Sequence, residues 1–89
     1  MSDTTSNTKE SATDHGRIMD AANCALNELL RATRLHGPMR GTHEGYAVIL
    51  EEVDELWDEV KKKHPDKAML REEAIQVAAM ALRFVVDVC

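Results

Sequence analysis

Residues 70–88 read LREEAIQVAAMALRFVVDV, and their apolar pattern sets the architecture expected for the whole chain. Drawn as an α-helix, the segment is apolar over about 220° of its circumference. Its polar side is narrow and consists of Glu72, Gln76, Arg83 and Asp87. Two neighbouring helices of one chain cannot cover so wide an apolar surface, and the remainder would form a large exposed patch. The pattern predicts a helix over about residues 67–88 that is completed by further copies of the chain.

The preceding segment, about residues 43–63, also has a helical pattern. Thr42 is expected to cap its N-terminus, and a run of lysines closes it, where cations complement the helix dipole. Its apolar residues fall within an arc of about 120°, the width of a core-facing stripe. They are Tyr46, Ile49, Leu50, Val53, Leu56, Trp57 and Val60. We therefore expect this stripe to face the core.

A first helix is expected over about residues 15–35, because apolar side chains recur there at helical spacing. Asp14 is its expected N-cap, Gly37-Pro38 ends it, and Asp66 is the expected cap of the third helix. Residues 1–13 are rich in Ser, Thr, Asn and Asp and have little to bury, which predicts a disordered tail. Residues 14–89 then form the folded domain.

Composition favours an all-α fold. The chain has 89 residues, enough for one small domain, and it is 44% hydrophobic but only 3% aromatic. Two prolines and four glycines are too few for the frequent turns of an all-β fold. At this length a monomer buries too little surface to be more than marginally stable. We expect an all-α helical bundle completed by homo-oligomerisation, at least to a dimer.

Charge and targeting signals limit the partners that can be expected. The net charge of −5 argues against a general nucleic-acid binder. No apolar run approaches the roughly 18 residues of a membrane span, and the polar N-terminus does not resemble a signal peptide. The two cysteines, Cys24 and Cys89, form no disulfide framework, which suits a reducing compartment. The expectation is a cytoplasmic protein with no membrane or nucleic-acid partner.

Residues 51–59, EEVDELWDE, contain six acids and no base. Such crowding on a helix is unfavourable unless a cation relieves it. Glu52 and Glu55 share one side of the helix, and Glu73 and Gln76 repeat that spacing on the next. A short connection makes the two helices antiparallel neighbours, which brings these four side chains together. Oxygen ligands of this kind suit Mg²⁺ or Mn²⁺, and Mg²⁺ in turn favours a polyphosphate substrate. The alternative is that the acids form a solvated helix face without a metal.

The pattern Glu51-Glu52-x-x-Glu55, followed by Glu73-x-x-Gln76, resembles the MazG-like nucleotide pyrophosphohydrolases, whose signature is EExxE followed by ExxD. The resemblance covers about residues 43–88. It implies an all-α bundle that assembles as a homodimer or a homotetramer. It also implies a Mg²⁺-dependent hydrolase that converts a nucleoside triphosphate to the monophosphate and pyrophosphate. The resemblance also implies that Glu52 and Glu55 are catalytic metal ligands and that Glu73 is a further ligand. Gln76 stands where the family has Asp, and its amide oxygen can ligate Mg²⁺ but brings no charge.

Cations are needed to neutralise a phosphate chain in such a site. Arg83 is the first candidate because it lies two turns beyond Gln76, followed by Lys61 and Lys62. The alternatives are an exposed arginine that keeps the helix soluble and a lysine run that complements the helix dipole.

A second class of function stays open at this point. A small acidic helical oligomer can serve as a non-catalytic interaction or regulatory module, and the missing Asp at position 76 favours that reading. Three ligand-type carboxylates beside the core favour the enzyme, because a pure scaffold gains nothing from them.

Overall fold

The computed structural model describes the backbone of residues 2–89 and the side chains of residues 14–89. Three helices make up the fold: α1 (Ser2–His36), α2 (Thr42–Val60) and α3 (Lys67–Val88). Residues 2–89 contain no strand, so the all-α prediction is confirmed. The disordered tail predicted for residues 1–13 lies outside the residues that are described in full, and it stays a prediction.

One of the three predicted helix caps is present. The Asp66 side chain accepts a hydrogen bond of 2.8 Å from the Ala68 backbone N–H at the start of α3. Asp14 is wrong as a cap, because it lies inside α1. Thr42 is wrong as well: it is the first residue of α2, and the extended Gly41 occupies the N-cap position without a side-chain hydrogen bond. The prediction that this helix extends to about residue 63 is wrong by three residues, since Lys61 and the next two residues lie in the turn after Val60.

The central helix is α3, which packs against both α1 and α2, whereas no Cα atoms of α1 and α2 in the described chain come within 8 Å of each other. Gly45 near the start of α2 lies against Phe84 near the end of α3, so these two helices are antiparallel. Arg71 contacts Asp20 on α1 with Nη2 and Oδ2 3.4 Å apart. Near the end of α3, Arg83 contacts Gly37, which directly follows α1. Because the early parts of α1 and α3 are in contact and so are their ends, the two helices are parallel.

The core is small. It centres on Ala32, Ala79 and Met80, and three half-buried side chains pack against it: Leu29, Val48 and Ile49. No large side chain of residues 14–89 is fully buried. Many large apolar side chains of all three helices are exposed, so the described chain by itself leaves an unusual amount of apolar surface in water. No helix in the described residues combines the length and the apolar character needed to cross a membrane.

The prediction that the apolar stripe of α2 faces the core is wrong for most of its members. Ile49 and Leu56 are half-buried, but the other five are exposed: Tyr46, Leu50, Val53, Trp57 and Val60. We call these five residues the α2 seam. The α2 seam is exposed because of the rotation of α2 about its axis, which places Gly45, Glu52 and Glu59 on the side nearer α3. This rotation turns the Glu52 and Glu59 carboxylates inward, where they need positive charge or hydrogen-bond donors. It turns Trp57 outward, where its apolar surface needs another apolar surface to cover it.

A polar contact holds the α1–α2 connection onto α3. The buried Arg83 guanidinium donates to the Gly37 carbonyl, and its Nε lies 3.6 Å from Asp87 Oδ2. The same Asp87 oxygen accepts a 2.9 Å hydrogen bond from the Met39 backbone N–H. Gly37 has a φ of 67°, a conformation that favours glycine and turns the chain sharply after α1. These contacts fix where α2 begins relative to α3.

Candidate functional site

The structure brings three of the four predicted ligands together. Glu52 and Glu55 come from successive turns of α2, and Glu73 comes from the facing part of α3. One carboxylate oxygen from each lies within 4.8 Å of the others. We call these three residues the carboxylate cluster. It forms because i,i+3 spacing puts Glu52 and Glu55 on one side of α2, while the antiparallel packing sets Glu73 opposite them.

Two oxygens of the carboxylate cluster have no partner. Glu52 Oε2 and Glu73 Oε2 are inaccessible to solvent, and no donor reaches either of them. An ionised carboxylate can only accept hydrogen bonds, and a buried acceptor without a donor is costly. The cluster therefore needs a proton or a cation to be stable as it stands.

The acidities of the cluster reflect the same need. Burial raises the pKa of Glu52 to about 7, with further contributions from Glu55, by hydrogen bonding and charge, and from the charge of Glu73. Burial also raises the pKa of Glu73, followed by the charges of Glu55 and Glu72. Near neutral pH Glu52 therefore holds its proton with unusual strength for a carboxylate. A divalent cation can replace that proton and supply more positive charge.

The donor set fits a hard divalent cation. It consists of carboxylate oxygens only, which Mg²⁺ and Mn²⁺ prefer over softer metals. Oxygens bound on opposite sides of one Mg²⁺ lie about 4.2 Å apart. One oxygen of each cluster carboxylate lies within 4.8 Å of the others, so the three are close enough together to be ligands of one ion. Three protein ligands leave room for waters and phosphate oxygens, as is usual for Mg²⁺.

The fourth predicted ligand, Gln76, lies on the side of α3 that faces α1, outside the carboxylate cluster. The hydrogen bond from Arg31 is the main reason that the pKa of Glu28 is lowered, and the Gln76 side chain, close to the Glu28 carboxylate, makes a smaller contribution in the same direction. Gln76 also lines the cleft between α1 and α3. Sequence reasoning missed Glu28, because nothing in the spacing of α1 says which of its turns faces position 76.

The predicted phosphate-binding cations have different surroundings. Lys62 Nζ lies 2.8 Å from both carboxylate oxygens of Glu59, whose charge is a minor cause of the raised pKa of Glu73. Lys62 is therefore paired with Glu59, which follows Glu55 by one turn of α2. Lys61 pairs with Asp58 at 2.9 Å, and both side chains are largely exposed.

Arg83, the first sequence candidate for phosphate binding, has another place in the structure. It is 6% exposed and engaged with Gly37 and Asp87. It also lies ten residues beyond Glu73, or about 15 Å along α3. The correction is that Arg83 holds the α1–α2 connection and does not adjoin the carboxylate cluster.

The chain was compared with protein families, curated proteins and solved structures. No family model matches the chain, and neither a curated protein nor a solved structure matches it. The geometry of the carboxylate cluster and the motif spacing in the sequence are therefore the basis for a functional proposal.

Proposed function

We propose that the protein is a Mg²⁺-dependent nucleoside triphosphate pyrophosphohydrolase of the MazG-like kind. It would convert a ribo- or deoxyribonucleoside triphosphate to the monophosphate and pyrophosphate, with Mn²⁺ as a substitute metal. The observation that carries the proposal is the carboxylate cluster, with its two buried oxygens that lack donors. The reaction itself comes from the resemblance of the Glu51–Glu55 and Glu73–Gln76 segments to the family signature.

In this proposal Glu52, Glu55 and Glu73 hold the cation. A bound divalent cation supplies charge neutralisation for the phosphate chain. Lys62, which pairs with Glu59 one turn beyond Glu55, adds a positive charge that can attract the same phosphates. Glu59 keeps Lys62 in place through its ion pair. Lys61 is a weaker candidate, because it pairs with Asp58 on the exposed side of α2.

The proposed enzyme is a homo-oligomer, either a dimer or a tetramer. The support is the α2 seam, whose residues follow the spacing 4-3-4-3 from Tyr46 to Val60. This spacing is that of a coiled-coil seam, which is buried only against another helix. Trp57 in the middle of the seam is 57% exposed, an unusual position for so large an apolar side chain.

The α2 seam also supports the second candidate, a non-catalytic interaction module. Such a module would use the seam to bind a partner and would have no need of the carboxylate cluster. The two candidates differ in one measurable respect: only the enzyme depends on Glu52, Glu55 and Glu73 for its activity.

A pyrophosphate-release assay over the common ribo- and deoxyribonucleoside triphosphates, with Mg²⁺ or Mn²⁺, tests the enzymatic proposal. Glu55→Gln removes one ligand charge and should lower the rate by at least about 100-fold. Asp54→Asn is the matched control, since Asp54 is an exposed acid of the same helix outside the carboxylate cluster. The control should keep nearly full activity. Absence of release from every nucleotide, with a folded and metal-binding protein, would favour the interaction module.

A further inference from the structure

A cleft of about 450 Å³ lies between α1 and α3. Its polar lining comes from Asn27, Glu28 and Arg31 on α1 and from Arg71, Glu72 and Gln76 on α3, with Ile75 among its apolar residues. Pockets for small molecules commonly span about 300–1,000 Å³ and combine apolar walls with a few placed polar groups. The cleft is therefore large enough for a nucleoside.

The cleft adjoins the carboxylate cluster. Glu72 and Gln76 line the cleft, and Glu73 between them in sequence belongs to the cluster. Side chains three apart on a helix are surface neighbours, with Cβ atoms about 5–6 Å apart, so Glu73 and Gln76 stand side by side. A nucleotide whose phosphates lie at the carboxylate cluster can place its base in the cleft.

The floor of the cleft presents a fixed hydrogen-bond acceptor. The Glu28 side chain is only 14% exposed, and Arg31 Nε lies 3.1 and 2.9 Å from its two oxygens. Gln76 lies beside the same carboxylate on the α3 side. An ionised carboxylate accepts but does not donate, and the three contacts from Arg31 leave about one of its four lone-pair sites for another donor. Glu28 is therefore poised for an N–H group of a ligand.

The amides near Glu28 complete a polar edge. Asn27 is exposed at the cleft and, like Gln76, offers both a donor and an acceptor. A cytosine or adenine presents an exocyclic amino group beside a ring nitrogen acceptor, which matches a carboxylate next to an amide N–H. A thymine or uracil presents a carbonyl oxygen at the corresponding place, and that oxygen would face the negative charge of Glu28.

We propose that the α1–α3 cleft binds the base of the nucleotide and that Glu28 selects bases with an exocyclic amino group. This inference rests on the proposed pyrophosphohydrolase function, which it deepens by naming the substrate class. Arg31 acts as a positioning residue, because its contacts orient the Glu28 carboxylate. Asn27 supplies a second contact to the base.

The test measures binding of dCMP, dAMP and dTMP to the full chain in EDTA, by calorimetry or by NMR titration. The three monophosphates carry the same phosphate, so its interaction with the metal-free carboxylate cluster cancels when their affinities are compared, and none of them can release pyrophosphate. The wild type should bind dCMP or dAMP about 10-fold more tightly than dTMP. Glu28→Gln should reduce this preference to about 2-fold or less, and Asn27→Ala should weaken binding of the preferred nucleotide. Asp54→Asn is the control, because Asp54 is an exposed acid that belongs neither to the carboxylate cluster nor to the cleft.

Asn27→Ala keeps the test valid if Glu28→Gln lowers stability, since Asn27 is exposed. Equal affinity for the three monophosphates, or no binding at about 10 mM, would overturn the proposal. So would a preference that both cleft variants leave unchanged. Base preference in binding without any pyrophosphate release supports the cleft and counts against the enzymatic function. Pyrophosphate release without base preference supports the enzymatic function and counts against base binding in the cleft.

Discussion

Gly45 lies so close to the Phe84 ring that a Cβ atom at position 45 would be 2.5 Å from Phe84 Cδ2. This contact joins the first turn of α2 to the last turns of α3, and it sets the rotation of α2 about its own axis. With Gly45 against α3, Glu52 and Glu59 follow on the same side, while the α2 seam turns outward. The position of the carboxylate cluster therefore depends on a glycine seven residues before its first member.

Gly45→Ala should destabilise the fold, by about 1–2 kcal/mol, because overpacking against Phe84 exceeds the gain in helix propensity. Urea denaturation gives the free energy of unfolding. Gly16→Ala is the matched control: Gly16 is also helical, and no atom lies within 4 Å of its would-be Cβ. That control should be neutral or stabilising by up to about 1 kcal/mol. Equal effects of the two substitutions would contradict the close contact.

A divalent cation should stabilise the protein through the carboxylate cluster. At ten times its dissociation constant, Mg²⁺ or Mn²⁺ adds about 1.4 kcal/mol, or about 5–10 °C in Tm for a domain of this size. Thermal melts with and without the metal measure the shift. Glu55→Gln should remove most of it, whereas Asp54→Asn should keep it. A midpoint that no metal changes would mean that the acids are only a solvated helix face.

The carboxylate cluster was predictable because it depends on local rules. Glu52 and Glu55 are one turn apart, and the six-residue connection 61–66 forces α2 and α3 to be antiparallel neighbours, which sets Glu73 opposite them. The three helices were predictable for the same reason, since apolar periodicity is a property of each segment alone.

The surroundings of Gln76 and Arg83 were not predictable in this way. Helical spacing put Arg83 on the face of Gln76, but it does not show that the Gly37 carbonyl comes within reach of the guanidinium. Likewise, the pattern of α1 does not show that Glu28 meets Gln76. The α2 seam was assigned to the core because periodicity identifies an apolar face but not the neighbour that it faces.

Without metal, stability should fall as the pH rises. The pKa of Glu52 is raised from 4.5 to about 7 in the folded chain, so the folded form binds this proton more tightly than the unfolded form. The resulting stability is fully present below pH 4.5 and is lost as the pH rises to about 7, by about 1–3 kcal/mol. Urea denaturation at pH 5 and pH 8 in EDTA measures the difference. Glu52→Gln should flatten this dependence and Asp54→Asn should not; a loss of stability on acidification over this range would contradict it.

Arg83 should contribute to stability rather than to substrate affinity. Arg83→Ala leaves the nearly buried Asp87 carboxylate without its charge partner and releases the Gly37 carbonyl, at a cost of about 3 kcal/mol. Denaturant melts measure the loss. If the variant still folds, its KM for a nucleoside triphosphate should stay within about 2-fold of the wild type, because no transition-state or ground-state contact is removed. A rise in KM with unchanged stability would mean that Arg83 binds the substrate phosphates and would contradict this prediction.

The α2 seam should hold the oligomer together. Its five residues are exposed in the single chain, yet they have the spacing of a buried helix–helix contact. Trp57→Glu places a charge in the middle of that contact and should weaken self-association by about 100-fold, which corresponds to roughly 3 kcal/mol. Sedimentation velocity over a range of concentrations measures the shift towards the monomer. Ala47→Glu is the matched control, since Ala47 is exposed on α2 but lies outside the seam, and it should leave the oligomer unchanged. A wild-type protein that sediments as a monomer of 10.0 kDa at micromolar concentration would rule out self-association through this surface.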